Sequence, residues 1–378
     1  MTPTEKLLRE LIALPSVNPA FLRAGDPHAG EQRIAEFLLA VAAQAGLDVD
    51  FRAVSPGRPN LMARLRPSGQ IRRRILLAPH LDTVGGEPLS PTLFDPVTKN
   101  GRLHGRGACD TKGSVAAMLS AVSALAKSAP RPRHTEIIFA GLVDEENNQA
   151  GSRALAASGF TADLAIVGEP TRLRVVTAHK GDLWLRLETH GRSAHGSRPE
   201  LGRNAVHAMA RAVEVLETRY AAHLRRRSHP LLGTATVSVG TISGGTQPNI
   251  VPAHCAISVD RRTLPGESEA AVHREIKSFL RERGVRVTLA DSRGVPCPAL
   301  ETDPSLPLVQ EFLRVVGQKQ PAGVVFFCDA AVLAAGGIPS VVFGPGDIAQ
   351  AHTADEWISL RELEQATALL TRFLESLP

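Results

Sequence analysis

The sequence predicts an α/β protein, a mixed sheet between helices, interrupted by a smaller α+β domain with the ferredoxin-like order of elements. Three observations predict it. First, apolar runs such as Ile75-Leu76-Leu77-Ala78, Ile137-Ile138-Phe139 and Ala165-Ile166-Val167 alternate with stretches of helical periodicity, the pattern of a sheet covered on both faces. Second, after Thr177 the pattern turns to strict alternation, with Leu183, Leu185 and Leu187 set against Trp184, Arg186 and Glu188. That is a strand buried on one face only. Third, the α/β pattern resumes from about Pro296. A chain of 378 residues is long for one core, so two domains are expected. The pattern places a first segment over 1–179, an insertion over 180–291 and a closing segment over 292–378.

Each element has a local reason. Thr2-Pro3-Thr4-Glu5 is a capping box with proline at the first helical position, and Leu7, Leu8, Leu11 and Ile12 follow at helical spacing. A helix over 30–45 turns Ile34, Phe37, Leu38 and Val41 inward and stops at Gly46. Strands over 49–54 and 60–65 lead to the Ile75 run, followed by a helix of small residues over 113–127 and strands over 136–143 and 162–167. Within the insertion, the alternating strand precedes a helix over 204–220, strands over 234–242 and 254–261, a helix over 267–283 and a strand over 285–289. That order is β-α-β-β-α-β, the ferredoxin-like unit. A helix over 308–316, strands over 324–327 and 340–343, and an amphipathic helix through Leu360, Leu363, Leu370 and Phe373 close the chain.

Composition excludes several classes. A hydrophobic share of 43% with 21% charged residues is globular. There is neither a run long enough to span a bilayer nor an apolar leader, so no membrane partner and a cytoplasmic location are expected. Cys109, Cys255, Cys297 and Cys328 form no CxxC pair and read as reduced thiols. The net charge of +5 is spread in short arginine clusters without interleaved aromatics, a solvated surface rather than a nucleic-acid face.

The chemistry lies in five stretches. His80-Leu81-Asp82 follows the Ile75 strand, and side chains two apart on a strand share a face. Gly105-Arg106-Gly107-Ala108-Cys109-Asp110-Thr111-Lys112-Gly113 turns sharply before a helix. Asp144-Glu145-Glu146, Gly168-Glu169-Pro170-Thr171 and the run from Phe343 to His352 each follow an apolar strand. Ligands of open α/β sheets bind outside the carboxyl ends of strands, so these loops are expected to converge. The gathered set is His80, Asp110, Glu146, Glu169 and His352, with Glu145 beside it. So many carboxylates in one place repel and desolvate unless cations sit between them. Two divalent ions satisfy the set, with Asp110 placed to bridge them and one histidine and one glutamate on each. Nitrogen and oxygen donors without thiolates suit zinc, and also manganese or cobalt. A bridging water would be the nucleophile, and one glutamate of the Glu145-Glu146 pair is left free as general base.

Taken together, His80-Leu81-Asp82, Gly105 through Gly113, Asp144-Glu145-Glu146, Gly168-Glu169-Pro170-Thr171 and Ala351-His352 resemble the dinuclear-zinc amidohydrolases that include acetylornithine deacetylase, succinyl-diaminopimelate desuccinylase, aminoacylase and carboxypeptidase G. The resemblance spans essentially the whole chain. It implies a zinc-peptidase-like catalytic domain and an inserted dimerisation domain; the two crossings near 178–179 and 292–294 form a two-stranded connection that is expected to permit hinge closure over substrate. It implies that Asp110 bridges two metals, with a cis peptide after it, and that His80 and Glu169 complete one ligand set and Glu146 and His352 the other. It makes Glu145 the general base and Asp82 the support of His80.

Within the inserted domain the resemblance assigns His195, in Gly191-Arg192-Ser193-Ala194-His195-Gly196, to the partner subunit's active site, where it polarises the scissile carbonyl. It assigns Arg261 and Asn249 to the substrate carboxylate. The implied protein is a homodimer with a small N-acyl amino acid as substrate. The wording from Gly344 to Glu356 is closest to acetylornithine deacetylases, which implies a place in arginine biosynthesis. Desuccinylases carry Ser-Asp-Gly-Arg where this chain has Cys328-Asp329-Ala330-Ala331, so an arginine for a second carboxylate is missing. A dipeptidase or carboxypeptidase is the alternative of the same class. The remote alternative is a non-catalytic, metal-binding dimeric module.

Overall fold

Residues 1–86, 90–128, 131–291 and 295–378 are described by the computed structural model, with the backbone alone for Ala290 and Asp291. They divide into two units. One comprises Met1–Thr177, Thr302–Ala322 and Cys328–Pro378, the other Ala178–Glu301 and Gly323–Phe327. The join expected at 292–294 lies outside the described residues. Within the first unit the Thr302 N–H donates to the Thr177 carbonyl at 2.8 Å, so the longer excursion, Ala178–Glu301, leaves and returns at one point.

The first unit is built on a mixed sheet. Its strands lie in the order Asp48–Ser55, Arg58–Leu65, Thr135–Gly141, Arg73–Pro79, Leu164–Gly168, Ser340–Val342. The first two pair antiparallel with each other, and Arg58–Leu65 pairs antiparallel with Thr135–Gly141. The last four strands run parallel to one another. Every residue of Thr135–Gly141 and of Leu164–Gly168 is buried, as a sheet covered on both faces requires.

Helix Pro3–Ile12 starts as expected: Thr2 Oγ1 accepts the Glu5 N–H at 3.1 Å, and Leu7, Leu8, Leu11 and Ile12 are buried. Helix Gln32–Gln44 ends before Gly46, whose φ is 84°. Helix Lys112–Lys127 is buried along most of its length and shares one core with the closing helix Leu360–Glu375. In that core Phe312 packs on Phe343 at 5.0 Å and on Phe373 at 4.7 Å between ring centroids. Such pairs add about 0.5–1.5 kcal/mol each beyond burial. Phe343 thereby anchors the start of the segment that ends in His352.

The second unit has an antiparallel sheet in the order Thr236–Gly244, His254–Thr263, Gly181–His190, Thr288–Asp291. Numbered along the chain this is 2-3-1-4, the ferredoxin-like order. One face carries Leu183, Leu185, Leu187, Ile257 and Val259, buried in one cluster with Met209, Leu216, Val272, Ile276 and Leu280. The other face presents Trp184, Arg186, Glu188 and His190. Three boundaries in this unit differ most from expectation. The strand expected over 285–289 runs Thr288–Asp291. The helix from Ala205 widens to π geometry over Val215–Tyr220 and continues to Leu224. The strand expected over 324–327 runs Ala322–Val324 instead, and Phe327 lies 5.6 Å from the Arg262 guanidinium.

Candidate metal centre

Parallel strands share a carboxyl end. From that end of the four parallel strands the chain runs into His80, into Asp144-Glu145-Glu146, into Glu169 and toward His352. The first two loops leave in step, because the Leu81 N–H donates to Leu142 O at 2.8 Å and the Leu142 N–H to Pro79 O at 3.0 Å. Asp144 then takes a left-handed turn, φ 68°, a conformation that short polar side chains tolerate through local bonds. Asn18 donates to its Oδ1 at 3.0 Å and Arg58 pairs with that oxygen at 2.9 Å. That pinned turn positions Glu145 and Glu146.

Asp110 comes from the loop before helix Lys112–Lys127. Gly107 there has φ 80°, which a side chain would resist. The loop is wrapped around Glu356, which is 3% exposed. Its Oε2 accepts the Gly107 N–H at 2.8 Å and Arg106 Nη1 at 3.0 Å, and its Oε1 accepts the Cys109 N–H at 2.9 Å and the Asp110 N–H at 3.0 Å. The Asp110–Thr111 peptide is cis.

Two donor sets result. His80 Nε2 lies 3.1 Å from Asp110 Oδ1 and 3.8 Å from Glu169 Oε1. His352 Nε2 lies 3.4 Å from Asp110 Oδ2 and 3.1 Å from Glu146 Oε2. Within each set the ligand atoms fall within 4.8 Å of one another, and the two oxygens of Asp110 face different histidines. The donor chemistry and spacing fit two divalent ions.

Asp82 supports this arrangement by a route the sequence did not suggest. Its main-chain oxygen is 2.9 Å from His80 Nδ1, while its carboxylate Oδ1 is 3.5 Å away. An Nδ1–H bonded to that carbonyl leaves Nε2 as the acceptor face toward Asp110. The Asp82 carboxylate instead accepts Asn18 Nδ2 at 2.8 Å and the N–H groups of Glu145 and Glu146 at 3.1 Å each.

The electrostatics show a surplus of negative charge. Burial first, then Glu169, Asp329 and Glu146 nearby, hold Glu145 well above the usual carboxylate range despite the opposing pull of His80. Burial and Asp110 do the same to Glu169, and push Glu146 up to about 7. Burial also works to raise Asp110, but its bonds to His352 and His80 outweigh it and leave its carboxyl below the ordinary value. Bonds to Asp110 and Glu146 raise His352 to about 10. Added cations would relieve this surplus.

A model of peptidase family M20/M25/M40 matches residues 76–376. The chain belongs to this family. The M20 fold recurs over the full length of solved proteins. The aminopeptidase PepT of Bacillus cereus is 24% identical, with 99% of this chain and 97% of that one covered and a TM-score of 0.78. An M20 metallo-carboxypeptidase from Sulfolobus solfataricus is 18% identical over 99% of each chain, TM-score 0.77. A dinuclear metal-binding M20 peptidase of Bacillus subtilis is 13% identical, with 98% and 96% covered and a TM-score of 0.70. This M20 protein is a metal-dependent hydrolase.

The M20 sequence motifs of the first unit meet in space; those of the second unit need one correction. His195 is exposed on a loop joined to the loop of Asn249: the Gly196 N–H donates to Asn249 O at 2.7 Å and the Val251 N–H to Ala194 O at 2.9 Å. His195 Nδ1 is 2.7 Å from Ser197 Oγ. Arg261, expected to grip a substrate carboxylate, is 0% exposed. Its guanidinium pairs with Glu267 at 2.8 Å and donates to Tyr220 Oη at 3.4 Å and to the Arg262 carbonyl. It is a core residue with its donors engaged. The next residue, Arg262, pairs with Asp260 at 2.8 Å and Asp182 at 3.6 Å.

Sequence reading also missed residues that hold the site: Asn18, Glu356, and Glu31, whose carboxylate pairs with Arg58 at 2.5 Å and accepts the Asp144 N–H at 3.2 Å. Each acts across a long sequence separation. No helix among the described residues is long and apolar enough to cross a membrane.

Proposed function

We propose that the protein hydrolyses the amide bond of an N-acyl amino acid, N-acetylornithine being the first candidate. The observation that carries the reading is Glu145. Its carboxylate is buried beside both donor sets, yet it makes no hydrogen bond among the described residues. Burial and the neighbouring carboxylates raise its proton affinity, the tuning that suits a general base. His80, Asp110 and Glu169 would hold one ion and Asp110, Glu146 and His352 the other, zinc best matching the imidazole and carboxylate donors, with cobalt or manganese as substitutes. When bound, the ions supply Lewis-acid polarisation of the amide carbonyl and acidify water.

The protein's own groups do the rest. Glu145 takes the proton of the attacking water and passes it to the departing amine nitrogen. Its raised proton affinity favours the first transfer, and the second runs downhill because the departing amine is more basic than a carboxylate. Asp82 fixes the main chain of Glu145 and Glu146, so base and ligand keep their relative places. His195, exposed on its loop, would donate to the carbonyl oxygen in a partner subunit's site, and Asn249 on the adjoining loop would contact the substrate carboxylate. The homodimer this requires is supported by an edge strand, Thr236–Gly244, along which Ile242 is 58% exposed. The four cysteines are free thiols, in keeping with a reducing cytoplasm.

A dipeptidase or carboxypeptidase activity is the second reading, supported by the aminopeptidase and carboxypeptidase among the similar structures. Succinyl-diaminopimelate is the weaker substrate. Asp329, which occupies the stretch where desuccinylases carry their motif, is 1% exposed and accepts Ser152 Oγ at 2.5 Å, and that stretch offers no cation. Amine release from a panel of N-acetyl, N-succinyl and N-formyl amino acids and dipeptides, with zinc or cobalt supplied, is the deciding measurement. Turnover of dipeptides alone would select the second reading; no turnover of any amide would remove both.

A further inference from the structure

We propose a third divalent-cation site on the open face of the second unit's sheet, formed by His190, His254 and Glu188. His190 and His254 are directly opposite on the neighbouring strands Gly181–His190 and His254–Thr263. The Gly191 N–H donates to Ala253 O at 2.7 Å, one residue beyond the pair on each strand. The pair is therefore of the non-hydrogen-bonded kind, in which opposing side chains stand closest. Glu188 lies two residues before His190 and so on the same face.

The donors already gather around one oxygen. Glu188 Oε2 is 3.5 Å from His254 Nε2 and 3.8 Å from His190 Nε2. Donors about 2.1 Å from a tetrahedral ion stand about 3.4 Å apart, so each histidine–Glu188 pair is spaced as two ligands of one ion, while the two imidazole nitrogens stand farther apart than the 4.8 Å that spans each Asp110 set. The imidazole centroids are 5.5 Å apart and tilted by 47°. The rings are 57% and 47% exposed, and sharing one ion requires them to turn both nitrogens inward about their side-chain torsions. Arg186 Nε donates to Glu188 Oε1 at 2.7 Å, which leaves Oε2 as the oxygen for the metal. Two imidazoles and one carboxylate suit a borderline ion such as zinc, with water in the fourth position. None of these residues belongs to the His80 or His352 sets.

The location gives the site a consequence. His190 is the last residue of its strand, and the chain continues directly into the loop that carries His195. An ion there would tie the base of that loop to the neighbouring strand.

Zinc uptake by the full-length protein tests this. Equilibrium dialysis with metal analysis is expected to give one ion more per chain for the wild type than for His190→Ala/His254→Ala, while the variant keeps the ions of the Asp110 centre, which also shows that it is folded. Diethyl pyrocarbonate labelling read by peptide mass is expected to modify His190 and His254 without zinc and to spare both with it. Glu188→Gln is expected to weaken that protection at least tenfold in zinc concentration. Equal stoichiometry in wild type and double variant, or labelling of the two histidines indifferent to zinc, overturns the proposal.

Discussion

Glu356 holds Asp110: the Asp110 N–H donates to Glu356 Oε1 at 3.0 Å, across almost two hundred and fifty residues of chain. The same carboxylate takes the N–H groups of Gly107 and Cys109 and the Arg106 guanidinium. Replacing it strips three main-chain donors and one buried cation of their acceptor. Breaking a buried pair by removing one partner costs about 3–5 kcal/mol. Glu356→Ala is therefore expected to lower the melting temperature by many degrees and to weaken both ions together, because both sets use Asp110. Unchanged metal affinity in a folded Glu356→Ala protein would show that the loop holds itself.

Glu145 and Glu146 are adjacent but are assigned different work. Glu145→Gln is expected to reduce kcat by about 10²–10⁴-fold, the usual contribution of a general base, with both ions and KM retained. Glu146→Gln is expected to release the ion beside His352. The check is kcat and metal content measured on the same preparations.

Chelation is expected to abolish activity and to lower thermal stability. An ion bound only by the folded state stabilises it by about 2.7 kcal/mol at a hundred times its Kd. Differential scanning with and without chelator reads this directly, and re-addition of zinc or cobalt is expected to restore both stability and turnover at two ions per chain.

Arg261 and His195 separate structure from catalysis. Arg261→Met leaves Glu267 without its buried partner and is expected to lower the melting temperature while leaving KM near the wild-type value. A large rise in KM at unchanged stability would return Arg261 to the substrate.

His195→Ala and Glu145→Gln chains, each nearly inactive alone, are expected to regain activity when mixed and allowed to exchange subunits. A mixed dimer then has one site with Glu145 from one chain and His195 from the other. Mixtures no more active than their parents would place His195 outside the partner's site.

Much of the first unit was legible because its signals are local. Apolar runs mark the parallel strands, and strand ends mark the ligand loops, so His80, Glu146, Glu169 and His352 follow from one topological rule, while Asp110 is marked by the glycine-rich turn before its helix. The residues that hold them did not, since Asn18, Glu31 and Glu356 reach their targets only after folding. Arg261 is a different case. In Cys255-Ala256-Ile257-Ser258-Val259-Asp260-Arg261 the period of two puts Arg261 on the side of Ile257 and Val259, the core side. The alternation was readable; the motif likeness overrode it. The Asp82 carbonyl stands nearer His80 Nδ1 than its carboxylate does, and main-chain direction is something no residue type announces.

The contact between Thr177 and Thr302 bears on how such a chain tolerates change. The excursion that starts after Thr177 returns to the residue it left, so the parent sheet experiences its length only through loop-closure entropy. That cost grows logarithmically, by about 0.6 kcal/mol per doubling. Insertions or deletions inside the excursion therefore reach the strands that carry the metal-site loops only as a weak entropic tug, and the excursion can change length with little cost to the parent sheet.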